Sequence, residues 1–465
     1  MSLVNLEMIK NIRSLKKIKN EDSFSFTNVC SDNRKYVEED VFLFLEGDNF
    51  DAYSFIDNVI KLSGVKTLII RWSKERENLF KGNHCVLWVT DSLQFIQDLG
   101  TLNAKKFRES GKEIVGITGS NGKTTNKEYV SKLLKLKYSE EEILFTKGNL
   151  NNHIGVPLTL LRLSHQHKVA IIEMGTSSFG EIKNLCNMAQ PTYGLITCIG
   201  EAHLEKLKDL DGVLSEKRAL YDYINSHNES KKIILNLDDK YLAKLDVTEK
   251  VTNFSVDKNK SDNLLKIEEN GICLATKLGK ISCSNKTIIG NHNWVNLAQC
   301  VLLVLEIYPD IYSSLEKNID SISFDINLNR GSFINWHSAQ VYLDAYNANP
   351  ASMKASILAY IEQTKSITFD DKLFIVGDMN ELGESSDGYH VEIGKFLKKI
   401  GAKHCWFIGR FSNKYVEGFG HAEAYLDASQ CSSKLLESIK NKQYSSVLIK
   451  GSRSLQLESI LDIKN

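Results

Sequence analysis

Two regimes of apolar and polar positions run along the chain. From residue 113 onward, short β-rich runs trade places with segments whose apolar residues recur at helical spacing. EIVGIT (113–118) leads into a predicted helix with Val130, Leu133 and Leu134 on one face. VAIIEM (169–174), YGLITCI (193–199) and KIILN (232–236) follow, with helix-like segments between them. This alternation predicts parallel strands joined by helices. Apolar runs without strict alternation fit strands buried on both faces. Near 250–290 the pattern changes, and ICLATKLGKISCSNKTII reads as short antiparallel strands. An apolar helix is predicted at about 294–307, then a polar stretch near 315–330. The β/α alternation restarts with QVYLDAY (340–346), KLFIVGD (372–378), HCWFIG (404–409) and SSVLIKG (445–451). DVFLFL and VKTLII are the clearest strands of a separate unit over residues 1 to about 105. The expectation is an α/β protein of three domains. A smaller α/β N-terminal domain covers 1–105, a central, mostly parallel sheet with helices covers 106–326, and a C-terminal Rossmann-like, doubly wound sheet covers 327–465. No internal repeat or low-complexity segment interrupts them.

A length of 465 residues is consistent with several cores, since one core stops growing well before that size. Lys+Arg and Asp+Glu both total 58, so the formal charge is zero. No basic excess marks a nucleic-acid surface, and no nucleic-acid partner is expected. The densest basic patch, RSLKKIKN (13–20), reads as one solvated face of the first helix. Nine cysteines lie without CxxC or metal spacing and read as buried, reduced thiols. The N-terminus lacks the apolar segment of a signal peptide, and no stretch reaches the roughly 18 uncharged residues of a spanning helix. A cytoplasmic protein without membrane insertion is expected. Proline is scarce, at four residues, which gives weight to Pro157 and Pro350.

The candidate chemistry begins where the first strong strand ends. Thr118-Gly119-Ser120-Asn121-Gly122 is followed by Lys123-Thr124-Thr125. A strict Walker A motif would put its first glycine at 117, where this chain has isoleucine. The physics survives that mismatch. Two glycines let the backbone curl around an anion, and Lys123 opens a helix whose free N–H groups attract phosphate. Thr124 is placed to offer its hydroxyl to Mg²⁺. The competing reading is a tight strand-to-helix turn with a solvated lysine, and the flanking strand and helix favour a P-loop-type central domain instead.

Mg²⁺ held by a nucleotide needs hard oxygen ligands, commonly one or two carboxylates. Glu173 closes a buried strand at the same sheet edge as the loop; its alternative is a glutamate emerging into solvent. His203 follows the next strand, in CIGEAHLEKL. Because Mg²⁺ prefers oxygen, the generic case for it as a ligand is weak. Lys217 lies on the helix after that strand, and composition alone does not separate it from Lys206 or Lys208.

Several longer segments carry a resemblance. They are GNLNNHIGVPLTLLRL (148–163), EMGTSSFGEI (173–182), AHLE (202–205), GNHNWVNLAQC (290–300), LDAYNANPASM (343–353), GDMNELGESSDGYH (377–390) and LIKGSRS (448–454). With TGSNGKTT, and with SDNRK (31–35) and FLEGDNFDAYSFI (44–56), the chain resembles the Mur ligase family, ATP-dependent amide-forming enzymes of peptidoglycan synthesis. The set 148–163, YNANP and GDMNELG is similar to members that add D-alanyl-D-alanine. Implied substrates are ATP, UDP-N-acetylmuramoyl-tripeptide and D-Ala-D-Ala, acted on by a bacterial monomer.

The resemblance implies roles by position. Thr118 to Thr125, with Lys123 and the Gly119–Gly122 backbone foremost, would hold the ATP phosphates. Thr124 and Glu173 would bind one Mg²⁺, and His203 would serve a second metal site. Lys217 matches a lysine that carries a carbamate and so helps hold metal. Asn293 and Asn296 would face adenine, while Arg330, Asp344, Tyr346 and Asn347 would close on the nucleotide. Arg34, Asn49, Asn151 and Asn152 would contact the UDP-sugar peptide, and Lys450 to Arg453 would offer a carboxylate or phosphate contact. The chain departs from the family pattern at Arg218-Ala219, at NLNRGSF (327–333) and at Asn33. A sister amide ligase of the tripeptide or folylpolyglutamate type is the rival enzyme reading, and a nucleotide-binding scaffold without catalysis is the rival from another class.

Overall fold

The computed structural model describes residues 3–32, 40–47, 50–62, 64–269, 271–325 and 329–461. Its central strand is Glu113–Thr118, buried along all but its first residue. Parallel neighbours flank it on both sides: Val169–Glu173, with Glu173 opposite Ile117, and Tyr193–Ile196, with Ile196 opposite Thr118. Ile143–Phe145 adds to one edge, and Lys232–Asn236 then Val251–Phe254 to the other, giving six parallel strands. The chain crosses from one side of the central strand to the other between residues 173 and 193. In open α/β sheets a ligand crevice lies at such a crossing, outside the carboxyl ends of the strands.

Helix Lys123–Leu134 covers one face together with helix Asn291–Ile307 and an antiparallel sheet of Leu264–Glu268, Gly271–Thr276 and Gly279–Cys283. Helices Gly155–Leu161, Glu181–Ala189 and Leu210–Ser226 cover the other. Asn291–Ile307 is apolar nearly all round because it is sandwiched between two sheets, the condition under which a helix loses its polar stripe. Among the described residues no single helix is long and apolar enough to cross a membrane.

The C-terminal sheet has six strands. Ser332–Trp336 pairs antiparallel with Ala339–Asp344, and Ser446–Lys450, Lys372–Gly377, His404–Ile408 and Glu423–Tyr425 follow in parallel. Apolar clusters cover both faces. One of them takes in Leu204, Leu207 and Val213 from the central half beside Met379 and Leu382, so an apolar seam joins the two halves.

The N-terminal sheet runs Leu15–Lys19, Cys85–Val89, Thr67–Arg71, Val41–Leu43, Val29–Cys30. Helix Ser92–Glu109 leaves it and serves two cores: Phe95, Ile96 and Leu99 pack in the N-terminal cluster, Ala104 and Phe107 in the central one. The basic stretch 13–20 is not helical, contrary to its reading from composition. The first helix is Leu6–Lys10, and Leu15–Lys19 is an edge strand antiparallel to Cys85–Val89. Its lysines find partners on that edge: Lys16 Nζ sits 3.6 Å from the Trp72 ring centroid, and Lys17 pairs with Glu77. Lysines on an edge strand also discourage pairing with another chain.

Leu297 is fully buried between the central sheet and the antiparallel one. Leu297→Ala is expected to cost about 2–5 kcal/mol through lost burial and a cavity. Urea unfolding followed by circular dichroism checks this; a midpoint unchanged from the parent chain would contradict the packing.

Candidate functional site

The phosphate loop leaves the central strand with no slack. Thr118 turns its hydroxyl inward to donate to the Met174 carbonyl at 3.0 Å, so it joins strand ends rather than facing the cavity. Gly119 adopts φ +146°, and a Cβ there would lie 1.7 Å from Thr197 Oγ1. Ser120 N donates to the Cys198 carbonyl, and its hydroxyl exchanges hydrogen bonds of 2.9 Å with the backbone of Gly200. Gly122, at φ +78°, caps helix Lys123–Leu134 without a side chain of its own. Lys123 Nζ folds back to donate to the carbonyls of Gly119 and Ser120 at 2.7 and 3.3 Å. Burial lowers the pKa of this ammonium, partly offset by the Glu173 charge. A cation held inside a loop of backbone N–H groups at a helix N-terminus is suited to polyphosphate.

Glu173 is almost wholly buried and fully engaged. Its Oε2 accepts from Thr124 Oγ1 at 2.9 Å and its Oε1 from Asn151 Nδ2 at 2.8 Å. Behind it, Glu173 N donates to Thr146 Oγ1, and the buried Lys127 donates to the Thr146 carbonyl. One carboxylate beside one hydroxyl, both hard oxygens, suits Mg²⁺, which keeps waters and phosphate oxygens as its other ligands. Among the described residues no group of three or more His, Cys, Asp and Glu side chains gathers into a metal cage.

His203 reaches the cavity wall in the left-handed region, at φ 55°. Its Nδ1 lies 2.5 Å from Glu381 Oε2 of the C-terminal half, and His203 in turn holds the Glu381 carboxyl below the usual range. Lys217 is 1% exposed and lies behind the cavity lining rather than on it. Burial, and then the nearby charge of Lys123, push its pKa down to about 7. Its neighbour Glu216, also buried, accepts from Thr176 Oγ1 and from the backbone N–H of Gly180 and Ile182, which shapes the loop after Glu173. Arg218 points to solvent and pairs with Asp222, so the Arg218-Ala219 departure does not put a charge into the cavity.

Across the crevice, Arg330 stacks over Tyr346, 3.6 Å from guanidinium carbon to ring centroid. Asp344 accepts from Lys450 Nζ at 2.8 Å, and the same ammonium donates to the Asn347 carbonyl. Lys450 lines the cavity while its ammonium is tied to Asp344 and Asn347. Arg453 pairs with Glu458. On the helix side, Asn293 Nδ2 donates to the Ile289 carbonyl, and Asn296 Nδ2 to Asn293 Oδ1. Asn296 Oδ1 accepts from Asn126 and Gln299, while Asn126 also donates to the Gly122 carbonyl. This buried amide network ties the helix 291–307 to the floor of the phosphate loop.

A cavity of about 690 Å³ gathers these groups: Ser120 to Thr125, Asn151, Asn152, Glu173, His203, Asn293, Asn296, Arg330, Asp344, Tyr346 and Asn347 all line it. Asn152 Oδ1 accepts from the N–H groups of Ile154 and Gly155 and shapes the turn into its helix. Arg34 and Asn49, like Asn33, lie outside the described residues. Sequence reasoning missed Asn126, Gln299, Glu216, Glu381 and Asn349. Nothing short of their partners, 34 to 228 positions away, marks them as functional.

Comparison with known proteins agrees with this geometry. Residues 117–304 match the Mur ligase middle domain and 329–453 the "Mur ligase, glutamate ligase domain". The UDP-N-acetylmuramoyl-tripeptide–D-alanyl-D-alanine ligase of Escherichia coli (strain K12) is 30% identical, covering 93% of this chain and 92% of that one. Its counterpart in Bacillus subtilis (strain 168) is 29% identical over the same shares. A crystal structure of MurF from Acinetobacter baumannii superposes with a TM-score of 0.78 at 26% identity, covering 94% of this chain and 92% of that one. MurF from Thermotoga maritima in complex with ADP, 24% identical, covers 94% and 96% with a TM-score of 0.73 and shares the fold. With a glycine-flanked loop that opens a helix at Lys123, a carboxylate–hydroxyl pair beside it, and a relative 30% identical over 93% of this sequence, the chain belongs to the Mur ligase family.

Proposed function

We propose that the chain joins D-alanyl-D-alanine to UDP-N-acetylmuramoyl-tripeptide at the expense of ATP, in the cytoplasm. The observation that carries this reading is the Lys123 loop and the Thr124–Glu173 pair facing Arg330 and Asp344 across one cavity. A carboxylate is a poor acyl donor because oxide does not leave. Its oxygen attacks the γ-phosphorus, the bond to the β-phosphate oxygen breaks, and ADP departs. The dipeptide amine then attacks the acyl carbon, the carbon–oxygen bond to phosphate breaks, and the amine loses its proton. Two anions must approach each other in the first step. Lys123 and the loop N–H groups stabilise the charge that accumulates there. Thr124 and Glu173 would hold Mg²⁺, which would supply further charge neutralisation there.

Arg330, Tyr346, Asp344 and Asn347 close on the nucleotide, with Lys450 holding Asp344 in place, and closure keeps water from the acyl phosphate. Asn293 and Asn296 bound the adenine side. The N-terminal domain, with Arg34 and Asn49, takes the UDP-sugar, and Asn151 and Asn152 extend that contact toward Glu173. His203, on the cavity wall, would contribute to a second metal site. Lys217, its pKa lowered by burial to about 7, would supply the uncharged amine that carbamate formation requires.

Three measurements check this reading. ADP release is expected only with ATP, Mg²⁺, UDP-N-acetylmuramoyl-tripeptide and D-Ala-D-Ala together, with a UDP-pentapeptide product. Turnover with a glutamate or diamino acid acceptor instead would favour a sister ligase, and ATP binding without any turnover a scaffold. Gly119→Ala forces a Cβ into Thr197, so ATP affinity by calorimetry is expected to fall at least about tenfold, roughly 1.4 kcal/mol. The pH dependence follows from Lys217. Its folded pKa is depressed to about 7, so the reactive amine is scarce below that value and abundant above it. Activity in bicarbonate-free buffer is expected to drop and to return on adding bicarbonate, more fully at pH 8 than at pH 6. Indifference to bicarbonate at both values would remove the carbamate.

A further inference from the structure

We infer that Asn349 is a positioning residue for the phosphate loop, interlocking with Asn121 when the C-terminal half docks. The two side chains form a reciprocal pair. Asn121 Nδ2 donates to Asn349 Oδ1 at 3.2 Å, and Asn349 Nδ2 donates to Asn121 Oδ1 at 2.8 Å. Their orientation is set from one side. Asn349 Oδ1 also accepts from Ser352 N at 2.9 Å as the N-cap of helix Pro350–Gln363, so the oxygen must face the helix and the NH₂ must face away. Both partners sit on stiff supports. Pro350 opens the capped helix, and Asn121 lies between Gly119 and Gly122 with its carbonyl accepting from Thr197 Oγ1. Asn349 is 3% exposed, so its amide loses water on docking and recovers hydrogen bonds from Asn121.

The geometry has a direction. Asn121 is the one loop side chain held by the far wall of the cavity among the described hydrogen bonds, while Ser120, Lys123 and Thr124 are held by the central half. Docking of the C-terminal half therefore fixes the loop position between the two glycines, and separation frees it. Nearby contacts set the approach: Ala351 Cβ lies 3.6 Å from where a Cβ on Gly200 would be, and the Glu381 carbonyl accepts from Glu205 N. The pair thus couples the closing motion to the part of the loop that meets phosphate, and ligand binding alone need not do it.

The cap and the interlock are separable by substitution. Serine and aspartate at 349 both cap a helix, yet serine is too short to reach Asn121, and aspartate keeps only the bond it accepts from Asn121 Nδ2. Asn349→Ser, Asn349→Asp, Asn121→Ser and the 121/349 double serine variant are compared with the parent chain. Thermal midpoints verify that the cap survives. The proposal rests on the ligase reading for its kinetic arm alone. There, kcat at saturating ATP is expected to fall about tenfold in each single serine variant and less in Asn349→Asp, with the double serine variant no worse than either single. In the second arm, small-angle X-ray scattering with ADP and Mg²⁺ is expected to give a larger radius of gyration for every serine variant than for the parent. That arm reads closure directly and stands whether or not turnover is ever seen. Losses that multiply in the double variant, or scattering curves indistinguishable from the parent, would overturn the interlock and leave Asn349 a cap alone.

Discussion

At residue 119 the chain has room for a hydrogen and nothing larger. The turn after the central strand must pass beneath Thr197 of the neighbouring strand end, in a backbone conformation that side chains rarely adopt. Because it does, Ser120 reaches the backbone of residues 198 and 200, and Lys123 starts its helix directly behind the turn. The parallel sheet delivers Glu173 to the same edge one strand away. Loop, lysine and carboxylate are thus placed by backbone register before any side-chain preference acts.

The second wall of the cavity has a different origin. It comes from a sheet whose nearest residues in sequence lie more than a hundred positions beyond the loop, and it is held by an apolar seam flanked by polar contacts. Leu204, Leu207 and Val213 supply non-directional attraction, while His203–Glu381 and Asn121–Asn349 supply register. Division of labour of this kind suits a joint that must open. Apolar contacts tolerate small slides, whereas paired polar groups make sense in one position.

Much of this was legible from the chain. The central strands from 113, 169, 193 and 232 and four of the C-terminal strands stand out because buried parallel strands are continuous apolar runs, and the antiparallel hairpin over 271–283 because the pattern changes there. Short edge strands such as Ile143–Phe145 and Glu423–Tyr425 do not, since three residues carry no period. The lysine-rich strand 15–19 misled because charge on an edge strand looks like charge on a helix face. In the site, the Lys123 loop and Glu173 stood out from the residues themselves, while His203 and Lys217 were singled out only through the family resemblance. Those that act through another residue were not singled out at all. Asn126, Gln299 and Asn349 are ordinary amides until folding brings their partners to them.

Helix Ser92–Glu109 has a mechanical consequence. It is anchored at one end in the N-terminal core and at the other in the central core, and at Gly100 its backbone presses against Pro157, where a Cβ would sit 3.2 Å from the proline Cα. An eighteen-residue helix held at both ends behaves as a strut rather than a hinge. The N-terminal and central sheets are thus joined through one continuous helix, whereas the C-terminal sheet meets the central half through an apolar seam and paired polar groups. The spacing between the N-terminal and central cores is therefore set by the length of one helix and not by a flexible link.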